Sequence, residues 1–179
     1  EKIIFQKSML NCAWMLQKDS FDLASYAVVG RGVVIMQTCD GVSAHFVGRD
    51  SPVTDNAFEL DYGVCGMNHA IVRSNSGCAY AVGCNTSGEC GFDESVEFSS
   101  KFVKIANAVT LVAAGASYSI ILFNDGRVCG SGYNKYGQLG LPACQFVNFW
   151  TEVHEVPKNI TSISCGYTHS CLVSGGIVY

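Results

Sequence analysis

One frame recurs four times along this 179-residue chain. Ala113 to Lys135 reads AAGASYSIILFNDGRVCGSGYNK. Val64 to Thr86 reads VCGMNHAIVRSNSGCAYAVGCNT, and Val28 to Asp50 reads VVGRGVVIMQTCDGVSAHFVGRD. Ser164 to Tyr179, SCGYTHSCLVSGGIVY, fits with one deletion. A small or apolar pair ends in glycine, at Gly30, Gly66, Gly115 and Gly166. A short apolar run follows, then a turn glycine at Gly41, Gly77, Gly126 or Gly176. A second apolar run closes the unit. Self-similarity at a fixed period restricts a chain to stacked or radial arrays of one supersecondary unit, because each copy can bury its faces only against its neighbours.

The unit is built of strands. Runs such as Ser119 to Phe123 and Ala70 to Val72 are short, β-prone and bounded by Asn-Asp-Gly or Asn-Ser-Gly. Asp125-Gly126 is a hairpin signal, since glycine tolerates the positive φ that such turns demand. The turn glycines lie 36, 49 and 50 residues apart. The linking segments, such as Ser99 to Val112, carry a further apolar run, and no long segment has helical periodicity. A repeated sheet of roughly 40–50 residues predicts an all-β fold, the β-propeller blade.

The two longest copies end in a glycine-rich corner, GCNTSGECGF at Gly83 to Phe92 and GYNKYGQLGL at Gly132 to Leu141. They align as G-x-N-x-x-G-[EQ]-[CL]-G. Two phosphate-binding readings fail. Lys135 stands where the third glycine of a dinucleotide fingerprint belongs, and no G-K-[ST] follows. A corner copied into successive repeats is expected to be scaffold, with Gly137 and Gly140 in backbone positions that resist a Cβ.

Composition narrows the function classes. Hydrophobic residues make up 49% and charged residues 15%, with a net charge of -4. The eleven Lys and Arg are scattered, so the basic stripe that nucleic acid requires is lacking. Charge this sparse also suggests that another surface covers part of the chain. No apolar run approaches the roughly 20 residues of a membrane span. Glu1 is not an initiator methionine, which suggests that the numbering starts inside a longer gene product or after processing.

Ten cysteines and two sequons, Asn85-Thr86-Ser87 and Asn159-Ile160-Thr161, would permit a disulfide framework. There is no C-x-x-C pair. Cys65 and Cys165 align with Val29 and Ala114, Cys90 with Leu139, and Cys171 with Ile120. We therefore expect reduced, buried thiols and an intracellular protein. Cys165 and His169, four apart on an extended strand, would be separated by about 13 Å, too far to work as nucleophile and base. The histidines lack metal spacing, and neither a catalytic residue nor a cofactor is expected.

The order G-x-x-H, D-G-x-V, G-x-N-x-x-G-Q-L-G resembles the repeat of the regulator of chromosome condensation (RCC1-like) family. Gly115 to Leu141 is the best copy. Gly66-Met67-Asn68-His69 and Gly166-Tyr167-Thr168-His169 carry the G-x-x-H element, while the Gly30 copy has Val33 in the histidine position. The resemblance covers about 21–179. Residues 1–20 form a degenerate segment, read as the tail of a preceding repeat. The family is usually a closed seven-bladed propeller, so about four blades imply part of one, with open edges that a partner or a second copy of this chain would cap.

The resemblance also implies a role. Members that act as guanine-nucleotide exchange factors meet a Ran-like small GTPase with histidines of this kind. His69, Tyr118 and His169 would then share a rim with Met67, Ala116 and Tyr167. The rival reading is a scaffold without exchange activity, in which Gly66, Gly77, Gly115, Gly126, Gly137, Gly140 and Gly166 are structural and the rim rings pack. Photoreceptor members use a tryptophan-rich face, and this chain has only Trp14 and Trp150. FVNFW, Phe146 to Trp150, is expected to be a packed outer strand, or a partner anchor if it lies in a loop.

Overall fold

The alternation of apolar residues between glycine turns gives antiparallel meanders. The computed structural model describes residues 26–38, 40–49 and 53–179, and every regular element among them is a strand. The first sheet runs β1 (Tyr26–Val29), β2 (Val33–Thr38), β3 (Gly41–Phe46), β4 (Val53–Asp55). The second runs β5 (Leu60–Cys65), β6 (His69–Ser74), β7 (Ala79–Cys84), β8 (Phe98–Ala106). The third runs β9 (Val109–Ala114), β10 (Tyr118–Phe123), β11 (Val128–Tyr133), β12 (Phe146–Val153). The fourth has β13 (Ile160–Cys165), β14 (Ser170–Ser174) and the short β15 (Ile177–Val178). Strands pair in chain order within each sheet, which makes each sheet one propeller blade. Residues 1–20 and Trp14 lie outside the described residues. No helix among the described residues is long and apolar enough to cross a membrane.

The linking run Ser99 to Val112 divides between two blades: β8 closes the second and β9 opens the third, with Ala108 turning between them at φ 54. The hairpin turns use glycine for a physical reason. Gly126 sits at φ +89, a region costly for a residue with a Cβ.

Second strands bury both faces. On β6, Ala70 and Val72 pack towards the first blade with Val33, Ile35 and Phe46, while Ile71 packs towards the third with Val112 and Ile121. On β10, Ile121 looks back while Tyr118, Ile120 and Leu122 look forward, onto a cluster that includes Ile163 of the fourth blade. Fully burying an Ile or Val contributes roughly 1.5–3 kcal/mol, whereas isolated hairpins are marginal, so the cohesion lies between blades. Tyrosine hydroxyls add polar links between first strands. The Tyr26 hydroxyl accepts the Gly63 N–H at 3.2 Å, and the Tyr62 hydroxyl accepts the Val112 N–H at 2.7 Å.

The expectation of buried thiols holds only in part: Cys90 and Cys129 are buried, Cys65, Cys78, Cys84, Cys165 and Cys171 are half-buried, and Cys144 is exposed. Cys90 is buried between the second and third blades, as Leu139 is between the third and fourth. The eight described cysteines are free thiols. Burial pushes the Cys65 thiol up to about 12 and Cys165 up to about 11, so both stay protonated and unreactive at neutral pH.

Candidate functional site

The loops between first and second strands form one end of the array. They are residues 30–32, 66–68, 115–117 and 166–168. The last three begin with a glycine over which the ring three residues on folds back, while at Gly30 a Cβ would meet Cys65 and the Gly66 carbonyl of the next loop. A Cβ on Gly66 would lie 2.1 Å from His69 Cε1, and one on Gly115 would lie 2.0 Å from the Tyr118 ring. At Gly166 the same atom would meet the His169 ring at 2.3 Å. Neighbouring loops touch through backbone, with the Met67 N–H donating to the Ala116 carbonyl at 3.0 Å. The ends of β5, β9 and β13 converge beneath them on a mouth of about 240 Å³, lined by Arg31, Cys65, Met67, Ala116, Cys165 and Tyr167 together with the loop glycines.

Two of the three expected rim rings are not on the surface. His69 and Tyr118 are both 0% exposed. His69 Nε2 lies 2.8 Å from Ser119 Oγ on the next blade, and Ser119 Oγ donates to the Glu89 carbonyl at 2.8 Å. The serine has one proton to give, so His69 is the donor in its Nε2–H form and Nδ1 is left without a partner. Burial lowers its pKa to about 4. The Tyr118 hydroxyl donates to the His169 carbonyl at 2.5 Å and sits 3.1 Å from Ser170 Oγ on the fourth blade. Ser170 Oγ in turn donates to the Gln138 carbonyl at 2.7 Å. Burial raises the Tyr118 hydroxyl above the usual phenol range. These rings serve contacts between blades, and as placed they cannot reach a partner. His169, by contrast, is exposed.

The sequence reasoning missed Ser119, Ser131 and Ser170. The signal was the hydroxyl directly after the ring position in two successive copies. The separation expected between Cys165 and His169 does not hold. They flank a tight turn, with the Gly166 N–H bonded to the His169 carbonyl at 2.8 Å, and do not lie along one strand. Cys165 is set aside on other grounds: partial burial raises its thiol to about 11, and it lies 3.7 Å from Ser170 Oγ.

What the end of the array does expose is aromatic. Tyr167 is 65% exposed and Tyr136 64%. Both border a groove of about 450 Å³ that also takes in Ala116, Tyr133, Phe146 and Thr168. Tyr133 holds Phe146 and Tyr136 at ring-centroid distances of 6.0 and 6.1 Å. The groove and the mouth share Ala116 and Tyr167, so they form one continuous face. In FVNFW, Phe149 is exposed on β12, while the Trp150 indole packs where a Cβ on Gly91 would stand. No group of three or more His, Cys, Asp or Glu among the described residues could hold a metal ion.

The corner loops share this end. Asn85 Oδ1 accepts the Cys90 N–H at 3.1 Å, and Asn134 Oδ1 accepts the Leu139 N–H at 3.0 Å. Glu89 and Gln138 turn inward to take the N–H of Ser87 and Tyr136. The asparagine therefore organises each loop around its own backbone. Comparison with known proteins finds this same unit: the regulator of chromosome condensation (RCC1) repeat matches residues 125–173, and a second description of that repeat matches residues 109–138.

Residues 109–173 carry the RCC1 repeat.

Curated relatives agree. The regulator of chromosome condensation of Homo sapiens is 40% identical over 81 residues, 42% of this chain and 19% of that protein. The ultraviolet-B receptor UVR8 of Arabidopsis thaliana is 28% identical over 119 residues, 62% of this chain and 26% of the receptor. Among solved structures, Prp20p of Saccharomyces cerevisiae, characterised for its binding to Gsp1p and histones, superposes with a TM-score of 0.73. Its identity is 22%, covering 87% of this chain and 44% of Prp20p, and that likeness is one of fold. The chain spans less than half the length of each of these three. RCC1 repeats arranged as propeller blades account for the four sheets.

Proposed function

We propose that the chain is a protein-interaction surface and that its mouth face receives a Ran-like small GTPase, in the manner of a guanine-nucleotide exchange factor. The observation that carries this reading is the exposed Tyr167 beside Met67 and Ala116, continuous with Tyr133, Tyr136 and Phe146. Aromatic residues at the centre of a concave face are the usual anchors of protein interfaces. The likeness to the human regulator and to Prp20p, which binds Gsp1p, supports the choice of partner class. Exchange asks for no covalent chemistry, only tighter binding to the nucleotide-free partner. A scaffold role without exchange is the second reading, and a specific observation favours it: His69 and Tyr118 are buried, which withdraws two polar groups from the face.

The test pairs calorimetric binding of the chain to a Ran-like GTPase with release of a fluorescent GDP analogue. We expect binding, and its weakening by Tyr167→Ala by roughly 30-fold, as for an interface hot spot, with an unchanged melting temperature. Binding without faster GDP release would leave the scaffold reading. No binding at all would remove the GTPase from both.

A further inference from the structure

The aromatic groove beside the mouth continues into an acidic pocket. Within the groove, the rings of Phe146 and Tyr136 are inclined to that of Tyr133 at 55° and 69°. Rings set at such angles give a ridged surface with notches between them. Tyr167 borders the groove from the fourth blade. The polar side-chain atoms of its lining are all hydroxyls, those of the tyrosines and of Ser87, Ser117 and Thr168. No hydrogen bond between described residues engages any of these hydroxyls.

Phe146 is shared with the second pocket, of about 190 Å³, whose other walls include Thr86, Gly88, Glu94, Glu97 and Asn148. The corner loop that contributes to both is fixed from the third blade, since Ser131 Oγ donates to the Gly88 carbonyl at 2.6 Å. Glu94 accepts a hydrogen bond from the Asn148 side-chain amide at 2.8 Å. Glu89, 3% exposed, accepts the Ser87 N–H at 2.7 Å. In the next corner the neutral Gln138 makes the same cap, so the loop does not require the charge at Glu89. No salt bridge among the described residues engages Glu89, Glu94 or Glu97. These carboxylates gather at the Phe146 end of the groove, whereas at the other end Lys135 Nζ lies 5.9 Å from the Tyr136 ring.

The chemistry of the two halves selects an occupant. Notches between aromatic rings take prolyl rings, and free hydroxyls donate to backbone carbonyls. A polyproline II segment offers both, because its carbonyls make no internal hydrogen bonds, and its preformed backbone loses little entropy on docking. A planar guanidinium is the cation best matched to carboxylates, through paired hydrogen bonds. The opposite charges at the two ends place that cation beyond Phe146, away from Lys135.

We propose that the groove and the acidic pocket form one docking surface for a proline-rich segment of another protein in the polyproline II form, with prolines between the rings and an arginine at Glu94 and Glu97. This goes beyond the GTPase reading: Glu94 and Glu97 lie outside the mouth, and the occupant is a short linear segment.

The test titrates the full chain into a fluorescein-labelled peptide, Arg-Pro-Pro-Leu-Pro-Pro-Arg, followed by anisotropy. An arginine at each end serves either chain direction. Saturable binding with a Kd below about 1 mM is expected. Replacing both arginines by glutamate, or every proline by glycine, should weaken it by at least about tenfold. Glu94→Gln combined with Glu97→Gln should weaken it by about tenfold and flatten its salt dependence, and Tyr136→Ala should weaken it by a similar factor. These side chains are exposed, so the melting temperature should not change. An unchanged anisotropy would overturn the proposal. So would equal binding of the glycine peptide, which would reduce the surface to one of charge alone, or indifference to the Glu94 and Glu97 changes. A dimer in light scattering that Tyr136→Ala dissolves would give the groove to a second copy and overturn it as well. No GTPase is present in these titrations, so a failure here and a failure of the GTPase reading are told apart.

Discussion

His69 is a neutral ring in an apolar seam, with one hydrogen bond and one unpartnered nitrogen. A proton on Nδ1 would place both a charge and an unpaired N–H where water does not reach. The folded ring resists protonation down to about pH 4, whereas in the unfolded chain it titrates near the ordinary value of 6.5. Between those values the unfolded state binds more protons, so stability is full above pH 6.5 and falls as pH falls towards 4. The shift corresponds to roughly 3 kcal/mol over that window. Urea midpoints measured from pH 7 to 4 should drop accordingly, and His69→Gln should flatten the drop while lowering stability at pH 7. An unchanged slope in that variant would show that other groups carry the acid sensitivity.

At the scale of the element, the corner loop is the unit under strain control. Gly88 holds φ +80, and a Cβ there would lie 2.7 Å from the backbone of Asn148 on β12 of the next blade. Gly137 holds φ +73 with nearly open space around it. The two should therefore respond differently to substitution. Gly137→Ala should lower stability by about 1 kcal/mol from backbone angle alone, while Gly88→Ala adds a clash between blades and should cost more. Thermal melts of the two variants decide it, and equal losses would contradict the geometry. Such corners were legible from the sequence because their glycines recur, and so were the hairpins at Asp125-Gly126 and Asn75-Ser76-Gly77. The facing of the G-x-x-H rings stood open between packing and partner contact, because it is the missing Cβ, which lets the ring fold inwards, that sends His69 and Tyr118 to the seam. The same turn geometry defeated the extended-strand reading of Cys165 and His169. The aromatic groove was equally hidden, since Tyr136 and Tyr167 come from different blades and meet only through the curvature of the array.

Across the whole molecule, order should grade from centre to edge. β10 is paired on both sides, and all but the last of its residues are buried; β15 has two exposed residues and one neighbour. Local opening costs least where contacts are few. Native-state hydrogen exchange should therefore find Ile120 and Ile121 among the slowest amides and Val178 among the fastest. A uniform protection pattern over all four sheets would instead mean that the array opens as a single unit.

The pairing of ring and serine between neighbours also bears on how such an array can lengthen. A blade copied in tandem meets itself, so it must satisfy its own demand. The fourth blade does, having His169 to give and Ser170 to receive, and the third sets Tyr118, which bonds a neighbour's backbone carbonyl, beside Ser119. The second does not: a duplicate of it would set His69 against Ala70, leaving the imidazole N–H without an acceptor. Duplication of the third or fourth blade would be tolerated at once. Duplication of the second would need a compensating change from alanine to serine before the new seam could close. Two neighbouring letters of a repeat, read together, thus tell which units of the wheel are free to multiply and which are bound to their place.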